Sequence, residues 1–208
     1  RAEVETCARC HARRSSQQAD YVHGEPILDT HRVAMLDEHL YYADGQVLEE
    51  VYVYGSFLQS KMYHQGVTCQ DCHDPHGLRV RGEGNSQCAG CHAPDRFDTP
   101  AHHFHEVGTE GSLCVSCHMP ERIYMVVDPR RDHSFRVPRP DLSARLGTPN
   151  ACSRCHWNQT SAWAAGVIAR WYGGKRTSHY GEALQAGRLG RPGAGETLSS
   201  LALEEEAP

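Results

Sequence analysis

The chain is 208 residues long and carries 26 acidic against 21 basic side chains, a formal net charge of −5. This balance excludes the basic surface that nucleic-acid binding requires, and no stretch approaches the roughly 18 apolar residues of a membrane span. Only 39% of the residues are hydrophobic and 4 are Phe, although a soluble chain of this length is expected to bury a sizeable core, so another apolar body must supply part of the interior.

Five copies of one short pattern, C-x-x-C-H, recur along the chain. They occupy residues 7–11, 69–73, 88–92, 114–118 and 152–156. Their cysteines are Cys7, Cys10, Cys69, Cys72, Cys88, Cys91, Cys114, Cys117, Cys152 and Cys155. Their histidines are His11, His73, His92, His118 and His156. Because the five copies use all 10 cysteines, the pattern is not a chance match.

This pattern is the attachment motif of c-type haem. Two thiols separated by two residues each form a thioether with one vinyl group of the same porphyrin, and the next histidine lies under the iron as proximal ligand. Zinc sites and disulfides are the alternatives. Zinc does not require a histidine after every second cysteine, and a disulfide requires none. We therefore predict five haem c groups as cofactors, which also supply the missing apolar interior.

Between the first two motifs, residues 40–54 contain alternating apolar positions and an Asp44-Gly45 turn, which predict a small β-hairpin, the only sheet expected. Motifs two to four are crowded, which predicts neighbouring haems. After the last motif, Asn158 is predicted to cap a helix that reaches Trp171 and ends at Gly173. The predicted fold class is mainly α and irregular, with short helices and loops wrapped around five haems and one small β-hairpin.

We predict two domains. A pentahaem cytochrome domain covers residues 1–172, and a haem-free C-terminal segment covers residues 173–208. That segment contains a linker rich in Gly and Arg, followed by one short amphipathic helix at residues 196–206. From Gly181 onward there is neither Cys nor His, and a solvated, flexible terminus is the favoured interpretation.

The sequence has 15 histidines, so ten remain as distal ligands for five irons. Bis-His ligation suits electron relay, because such low-spin haems reorganise little on redox change. The predicted distal ligands are His23, His64, His76, His102, His105 and His133, with His23 and His64 competing for one position. His103 is the alternative if residues 102–105 are extended rather than helical. The remaining histidines, His31, His39 and His179, are interpreted as surface residues or as outer partners of the ligands.

Two other residue types near the motifs bear on the haems. Methionine is the rival iron ligand, at Met62, Met119 and Met125, but it is more often a packing residue. A basic run within the acidic chain consists of Arg130, Arg131, Arg136 and Arg139. A solvated charged loop is one interpretation of this run. Pairing of these guanidinium groups with haem propionates is the preferred one, since Arg suits buried carboxylates.

Six segments resemble bacterial multihaem cytochromes of the doubled C-x-x-C-H type. They are VYVYGSFLQS (51–60), GVTCQDCHDPH (66–76), HHFH (102–105), CHMP (117–120), RRDHSFRVPRP (130–140) and GTPNAC (147–152). The likeness covers about residues 3–172. Members of this family are often fused to tetratricopeptide-like helical repeats, and they are distantly akin to the tetrahaem cytochrome of ammonia oxidation and to the pentahaem nitrite reductases.

The resemblance implies periplasmic or extracellular electron transfer in a bacterium, with other multihaem cytochromes as redox partners. It also implies that His76, His102, His105 and His133 are distal ligands. Because family members extend further at both ends, we expect a leader to have been removed and a helical-repeat region to begin after residue 173. A homo-oligomer or filament, in which one subunit donates a distal ligand to another, and a soluble carrier are the two alternatives that the sequence leaves open.

The competing prediction is an oxidoreductase that acts on nitrite or hydroxylamine, as related multihaem scaffolds do. Such chemistry needs one haem with an open iron position, which the nitrite reductases typically mark with Lys in place of the motif histidine. All five motifs here end in His. The sequence therefore favours an electron carrier over an enzyme.

Overall fold

The structure is a computed structural model that describes residues 1–77 and 79–203. It contains two compact units. Unit 1 comprises Arg1–Met35 and Glu50–Val137, and unit 2 comprises Leu36–Glu49 and the chain from Pro138 onward. The predicted boundary after residue 172 concerns haem content rather than packing, so it stays a prediction beside this division.

Unit 1 is built from short elements, most of them a single helical turn or a two-stranded hairpin. Its helices are α1 (Ala2–His11), α2 (Tyr54–Leu58), α3 (Lys61–His64), α4 (Cys69–Cys72), α5 (Ser86–Ala89), α6 (Pro94–Phe97), α7 (Pro100–His103) and α8 (Cys114–His118). Its strands are β1 (Arg14–Ser16), β2 (His31–Val33), β3 (His73–Asp74), β4 (Arg79–Val80), β5 (Glu121–Tyr124) and β6 (Asp128–Arg131). Two 3₁₀ turns, Ile27–Asp29 and Glu110–Ser112, complete it.

The core of unit 1 anchors α1. Val4 and Ala8 lie one turn apart on the same face of this helix, and both are buried against Ile27 and Tyr54. Glu5 adds polar contacts, because its carboxylate accepts hydrogen bonds from the Ile27 N–H at 2.9 Å and the Tyr54 hydroxyl at 3.1 Å. Burial, followed by this carboxylate, raises the pKa of Tyr54. The first C-x-x-C-H motif is therefore carried by a firmly held helix.

The predicted β-hairpin at residues 40–54 is wrong in its strands. The turn at Gly45 exists, because the Gly45 N–H donates to the Tyr42 carbonyl at 2.9 Å. The residues on either side of it form one isolated bridge, between Tyr41 and Val47, and no strands. The described residues instead form three two-stranded antiparallel sheets, β1–β2, β3–β4 and β5–β6.

Burial explains why the alternating segment before Tyr54 is not a strand. Val51 and Tyr54 are buried while Tyr52 is exposed, and a spacing of three fits a helical turn better than a pleat. Tyr54 accordingly begins α2. The fold class is nevertheless confirmed, since the chain is mainly helical and irregular with small antiparallel hairpins. None of the helices in residues 1–77 and 79–203 is long and apolar enough to cross a membrane.

Unit 2 contains longer helices. They are α9 (Pro140–Leu146), α10 (Ser161–Tyr172), α11 (Tyr180–Arg188) and α12 (Ala194–Leu201), with a 3₁₀ turn at Ala151–Arg154. The predicted helix after the last motif is α10, and Gly173 ends it as expected. Its N-terminal cap is Thr160 rather than Asn158, because the Thr160 side chain accepts the N–H of Trp163 at 3.1 Å.

The C-terminal segment is not a free terminus over its described part. In α11, the Tyr180 hydroxyl donates to the Asp44 carbonyl at 3.0 Å, and Arg188 donates to the carbonyls of Leu36 at 2.7 Å and Tyr41 at 3.0 Å. The helix α12 packs against α11. The interpretation of a solvated, flexible end is therefore wrong for these helices, and the predicted helix at 196–206 lies partly outside the described residues.

Candidate functional site

All five C-x-x-C-H motifs lie on short helical turns. Motif one closes α1, motif two forms α4, motif three starts in α5, motif four forms α8, and motif five forms the 3₁₀ turn Ala151–Arg154. In motifs two, three and five, the backbone N–H of the histidine donates to the carbonyl of the first cysteine. Each turn therefore gathers two thiols and one imidazole on one short segment, as attachment to a single porphyrin needs.

Polar side chains tie neighbouring motifs together. Asn85 lies three residues ahead of Cys88 in motif three. It donates to the Ser112 carbonyl at 3.0 Å and accepts the Cys114 N–H of motif four at 2.9 Å. Glu3 of α1 accepts the Gln70 N–H of motif two at 2.8 Å. Neither residue is among the site residues that the sequence predicts. Asn85 before a helix is a recognisable capping signal, but nothing in the sequence indicates a partner at Cys114.

The first cysteines of successive motifs meet in pairs. The thiols of Cys7 and Cys69 are hydrogen-bonded to each other, as are those of Cys88 and Cys114. Burial raises the pKa of Cys69 to about 12 and that of Cys88 to about 11. Motifs one and two are therefore spatial neighbours, as are motifs three and four, and the sulfurs lie where an uncharged state is favoured.

The chemistry of these sulfurs bears on the zinc alternative. Glu3, Cys7 and Cys69 have ligand atoms within 4.8 Å of one another and are the one potential metal cluster found in the described residues. A structural zinc site takes four ligands, whereas this cluster offers three. Its two cysteines are the first cysteines of two different C-x-x-C-H motifs, so these positions fit covalent haem attachment better than zinc. None of the ten cysteines, all of which the structure describes, forms a disulfide.

Two pairs of imidazoles face each other within unit 1. His73 of motif two lies opposite His133, with ring centroids 6.2 Å apart and planes at 27°. His118 of motif four lies opposite His102, with centroids 6.1 Å apart and planes at 13°. Two imidazoles bound to opposite faces of one iron have ring centres roughly 6 Å apart, because a metal–nitrogen bond to histidine is about 2.0 Å long. Both pairs fit this spacing.

Aromatic pairs also fall in this distance range, so the ring nitrogens decide between the two interpretations. The Nδ1–H of His133 donates to the Arg131 carbonyl at 2.9 Å, and that of His118 donates to the Arg136 carbonyl at 2.7 Å. Such a bond fixes the tautomer, because Nδ1 carries the proton and the lone pair of Nε2 can bind a metal. This is the usual state of a metal-binding histidine. Burial lowers the pKa of His133 and of His102, which favours the neutral form that binds metal.

Within segment 102–105, His103 and His105 differ in their hydrogen bonds. A left-handed residue, Phe104 with φ +56°, ends α7. The Nδ1–H of His105 then donates to the His103 carbonyl, so Nε2 is the unprotonated nitrogen of this ring. His103 has the opposite pattern, because its Nδ1 accepts the His105 N–H at 3.2 Å. These tautomers favour His105 over His103 as an iron ligand.

The remaining predicted distal ligands are exposed. His23 contacts the ring of Tyr21 and His64 that of Tyr63, both with centroids 5.4 Å apart. His76 lies in the turn between β3 and β4 with φ +60°. None of the three is placed opposite a motif histidine by a recorded ring contact among residues 1–77 and 79–203, so their role as ligands stays a prediction.

Two histidines that were interpreted as surface or outer residues have defined structural partners. His31 is only 4% exposed, so a surface position is wrong for it, and its Nδ1 lies 2.8 Å from the Thr30 hydroxyl. Burial lowers its pKa. His179 caps α11, since its Nδ1 accepts the Gly181 N–H at 3.1 Å. The ring of His31 packs edge-on against Tyr21, with centroids 5.8 Å apart.

The basic run is paired within the protein. Its ion pairs are Arg130 with Glu50 and Asp128, Arg131 with Glu121, Arg136 with Asp132, and Arg139 with Asp141. Carboxylates of the chain thus pair with each of these guanidinium groups and hold loops and helix ends. Pairing with haem propionates stays a prediction.

Comparison with known proteins adds a likeness of fold. No protein-family model matches the chain, and no curated protein is significantly similar to it. The crystal structure of the outer cell wall cytochrome OcwA is similar, with 18% sequence identity and a TM-score of 0.56 over 79% of this chain. The match spans 51% of the OcwA chain. At this identity the likeness shows the fold alone, which this chain shares with that cytochrome.

Proposed function

We propose that this chain transfers electrons through five covalently attached c-type haems, most of them with two histidine ligands. The observation that carries the proposal is the placement of two motif histidines, His73 and His118, opposite the non-motif histidines His133 and His102 at 6.2 and 6.1 Å. The bound haems supply reversible one-electron chemistry at iron. The likeness in fold to a cytochrome supports the same conclusion.

The residues of the chain attach and orient the cofactors. The motif cysteines form the thioethers, and the motif histidines are the proximal ligands. His133 is the distal ligand to the haem of motif two, His102 to that of motif four, and His105 to a neighbouring haem. Carbonyl acceptors at Arg131 and Arg136 hold the imidazoles in the tautomer that binds iron.

The sulfur contacts support an order of electron transfer. Cys7 with Cys69 and Cys88 with Cys114 place the attachment points of haems one and two, and of haems three and four, side by side. Cys72 of motif two is hydrogen-bonded to Gln87, which directly precedes Cys88. Haems one to four then form a continuous relay within unit 1, and haem five belongs to unit 2.

The location and partners of the protein follow from the haem assignment. Covalent haem attachment places the chain in the periplasm or outside a bacterial cell, where other multihaem cytochromes are its redox partners. The exposed His23, His64 and His76 suit donation to a haem of a second copy, as in an oligomer or filament. Electron micrographs that show only monodisperse particles at high concentration would contradict the filament.

The mass of the purified protein tests the central proposal. We expect a red protein whose denatured mass exceeds that of the polypeptide by five haems, with a pyridine haemochrome spectrum typical of two thioethers. Carbon monoxide added after dithionite reduction should change the spectrum little, because bis-His iron has no open position. A colourless sample would refute the proposal, and strong CO binding would favour the nitrite or hydroxylamine oxidoreductase.

A further inference from the structure

One loop, residues 131–136, hydrogen-bonds to an imidazole of each ring pair, His133 opposite His73 and His118 opposite His102. Its Arg136 makes a reciprocal pair with His118, since the Arg136 carbonyl accepts Nδ1–H at 2.7 Å and the Arg136 N–H donates to the His118 carbonyl at 3.1 Å. At its other end, the Arg131 carbonyl accepts Nδ1–H of His133 at 2.9 Å. The position of this loop therefore determines the position of both rings.

Asp132 stabilises the loop through hydrogen bonds of its backbone and its side chain. Its N–H donates to the Pro120 carbonyl at 3.1 Å, and its carboxylate accepts the Ser134 N–H at 2.8 Å. The same carboxylate lies 3.7 Å from Nε of Arg136, and the two side chains are 9% and 18% exposed. Arg136 reaches further, to the Gln59 side-chain oxygen at 2.8 Å. Asp132 and Arg136 thus join the two ends of the loop and tether them to α2.

A strained residue shows that the loop is held in place. Phe135 has φ +48°, a left-handed conformation that side-chain-bearing residues rarely adopt. Its ring packs edge-on against Phe57 at 6.3 Å and against His133 at 6.1 Å. Such conformations persist only where the surroundings over-determine them, and they cluster at functional sites. The packing of Phe135 and the ion pair of Asp132 provide that support.

We propose that Asp132 and Arg136, tethered by Gln59, are positioning residues that set the orientation and redox potential of two haems, those of motifs two and four. This inference rests on the proposed function. A histidine that donates its second N–H to a carbonyl is a more basic and better oriented metal ligand. Loosening the loop weakens both donations at once, so the two iron centres become easier to reduce together.

The direct test replaces Asp132 by Asn in the haem-loaded protein. Asp132→Asn keeps the size of the side chain but removes the charge that pairs with Arg136. We expect the low-spin electron paramagnetic resonance signals of two haems to shift, because those signals report the angle between axial imidazoles. Potentiometric titration should show the same two potentials raised and three unchanged.

Asp128→Asn is the matched control, because Asp128 forms an ion pair with Arg130 at 2.6 Å in the adjacent hairpin and has no recorded hydrogen bond or ion pair with the described residues 131–136. Gln59→Leu is a second test that removes the tether of Arg136 without changing charge, and we expect it to shift the same two signals. Unchanged signals in both test variants would overturn the inference, as would an equal shift in Asp128→Asn. Failure of the proposed function is distinguishable, since it would show as missing bis-His haems in the unsubstituted protein.

Discussion

His133 faces His73 across a ring-centroid distance of 6.2 Å, although one follows β6 and the other begins β3. Under the proposed function this pairing assigns a ligand to a specific haem, which C-x-x-C-H spacing alone does not do. His102 faces His118 in the same way at 6.1 Å. Both pairs contact the loop 131–136, so the positions of their rings are linked through the backbone carbonyls of Arg131 and Arg136.

Replacing one distal histidine by methionine should alter one haem. We expect His133→Met to raise a single potential by on the order of 0.1 V, a fraction of the ~0.8 V range that axial ligands span, because the thioether favours ferrous iron. Potentiometric titration followed by absorbance measures the change. A second haem, and only that one, should respond to His102→Met.

His179→Asn is the control for these two variants. Asn retains the capping of α11 that His179 provides, and all five potentials should stay unchanged. If His133→Met and His102→Met also left every potential unchanged, the two imidazole pairs would be aromatic contacts rather than iron ligands.

The lack of a side chain at Gly111 leaves room for the imidazole of His105. A Cβ at Gly111 would lie 2.3 Å from Cδ2 and 2.6 Å from Cγ of that imidazole, so Gly111→Ala must displace the ring. If His105 ligates iron, we expect one haem to become high-spin and to bind CO after reduction, which absorbance spectra detect.

Gly174→Ala serves as the comparison, since no atom lies within 4 Å of a Cβ there. His103→Ala should leave the spectrum low-spin. Nδ1 of His103 accepts a hydrogen bond, so Nε2 carries the proton and has no lone pair for iron. A high-spin haem in His103→Ala with none in Gly111→Ala would reverse the assignment of the two residues.

The sequence predicts those parts of the molecule that depend on neighbours along the chain. The turn of each motif is local, and so is α10, whose apolar periodicity and terminal Gly173 are visible without a structure. The sequence predicts Asn158 as its N-cap, whereas Thr160 is the cap in the structure, because both residues are good caps. Only the side-chain contact to Trp163 distinguishes them.

Long-range pairings escape such an analysis. Strand β1 is polar and three residues long, and its register with β2 depends on α1 packing beside it. The docking of α11 depends on bonds from Arg188 to carbonyls of a segment far away in sequence. Cofactor ligation has the same character, because His133 is one of ten candidates until the fold places it opposite His73.

The docking of α11 can be tested at Gly181. An added Cβ there would lie 2.9 Å from Cα of Asp44 and 3.1 Å from the Ala43 carbonyl, so Gly181→Ala should destabilise unit 2 by about 1–3 kcal/mol through overpacking. Gly195→Ala in α12 meets no atom within 4 Å and should stabilise by about 0.5–1 kcal/mol through helix propensity. Hydrogen exchange of residues 180–201 measures both, and equal protection in the two variants would indicate an undocked terminus.

The stability of unit 2 should also depend on the charge of Asp141. Its carboxylate accepts two hydrogen bonds from Arg139, at 2.9 and 2.8 Å, and these bonds hold its pKa below the ordinary value of 3.8. A depressed folded-state pKa contributes stability that is present above the unfolded value and is lost as the pH falls through the folded one. We expect Asp141→Asn to destabilise by about 1–2 kcal/mol at pH 7. The difference from the unsubstituted protein should begin to shrink below about pH 4 and should vanish once the pH lies below the depressed folded-state pKa of Asp141.

Denaturant unfolding followed by tryptophan fluorescence measures this effect, because Trp157, Trp163 and Trp171 all belong to unit 2. Glu182→Gln is the matched control. Glu182 pairs with Arg145 at 3.0 Å, but the two side chains are 47% and 49% exposed, and exposed ion pairs contribute little. At low pH the protonated Asp141 carboxyl and the Asn amide are both uncharged. If Asp141→Asn remained equally destabilised there, the charge of Asp141 would not be what holds Arg139, and the prediction would be wrong.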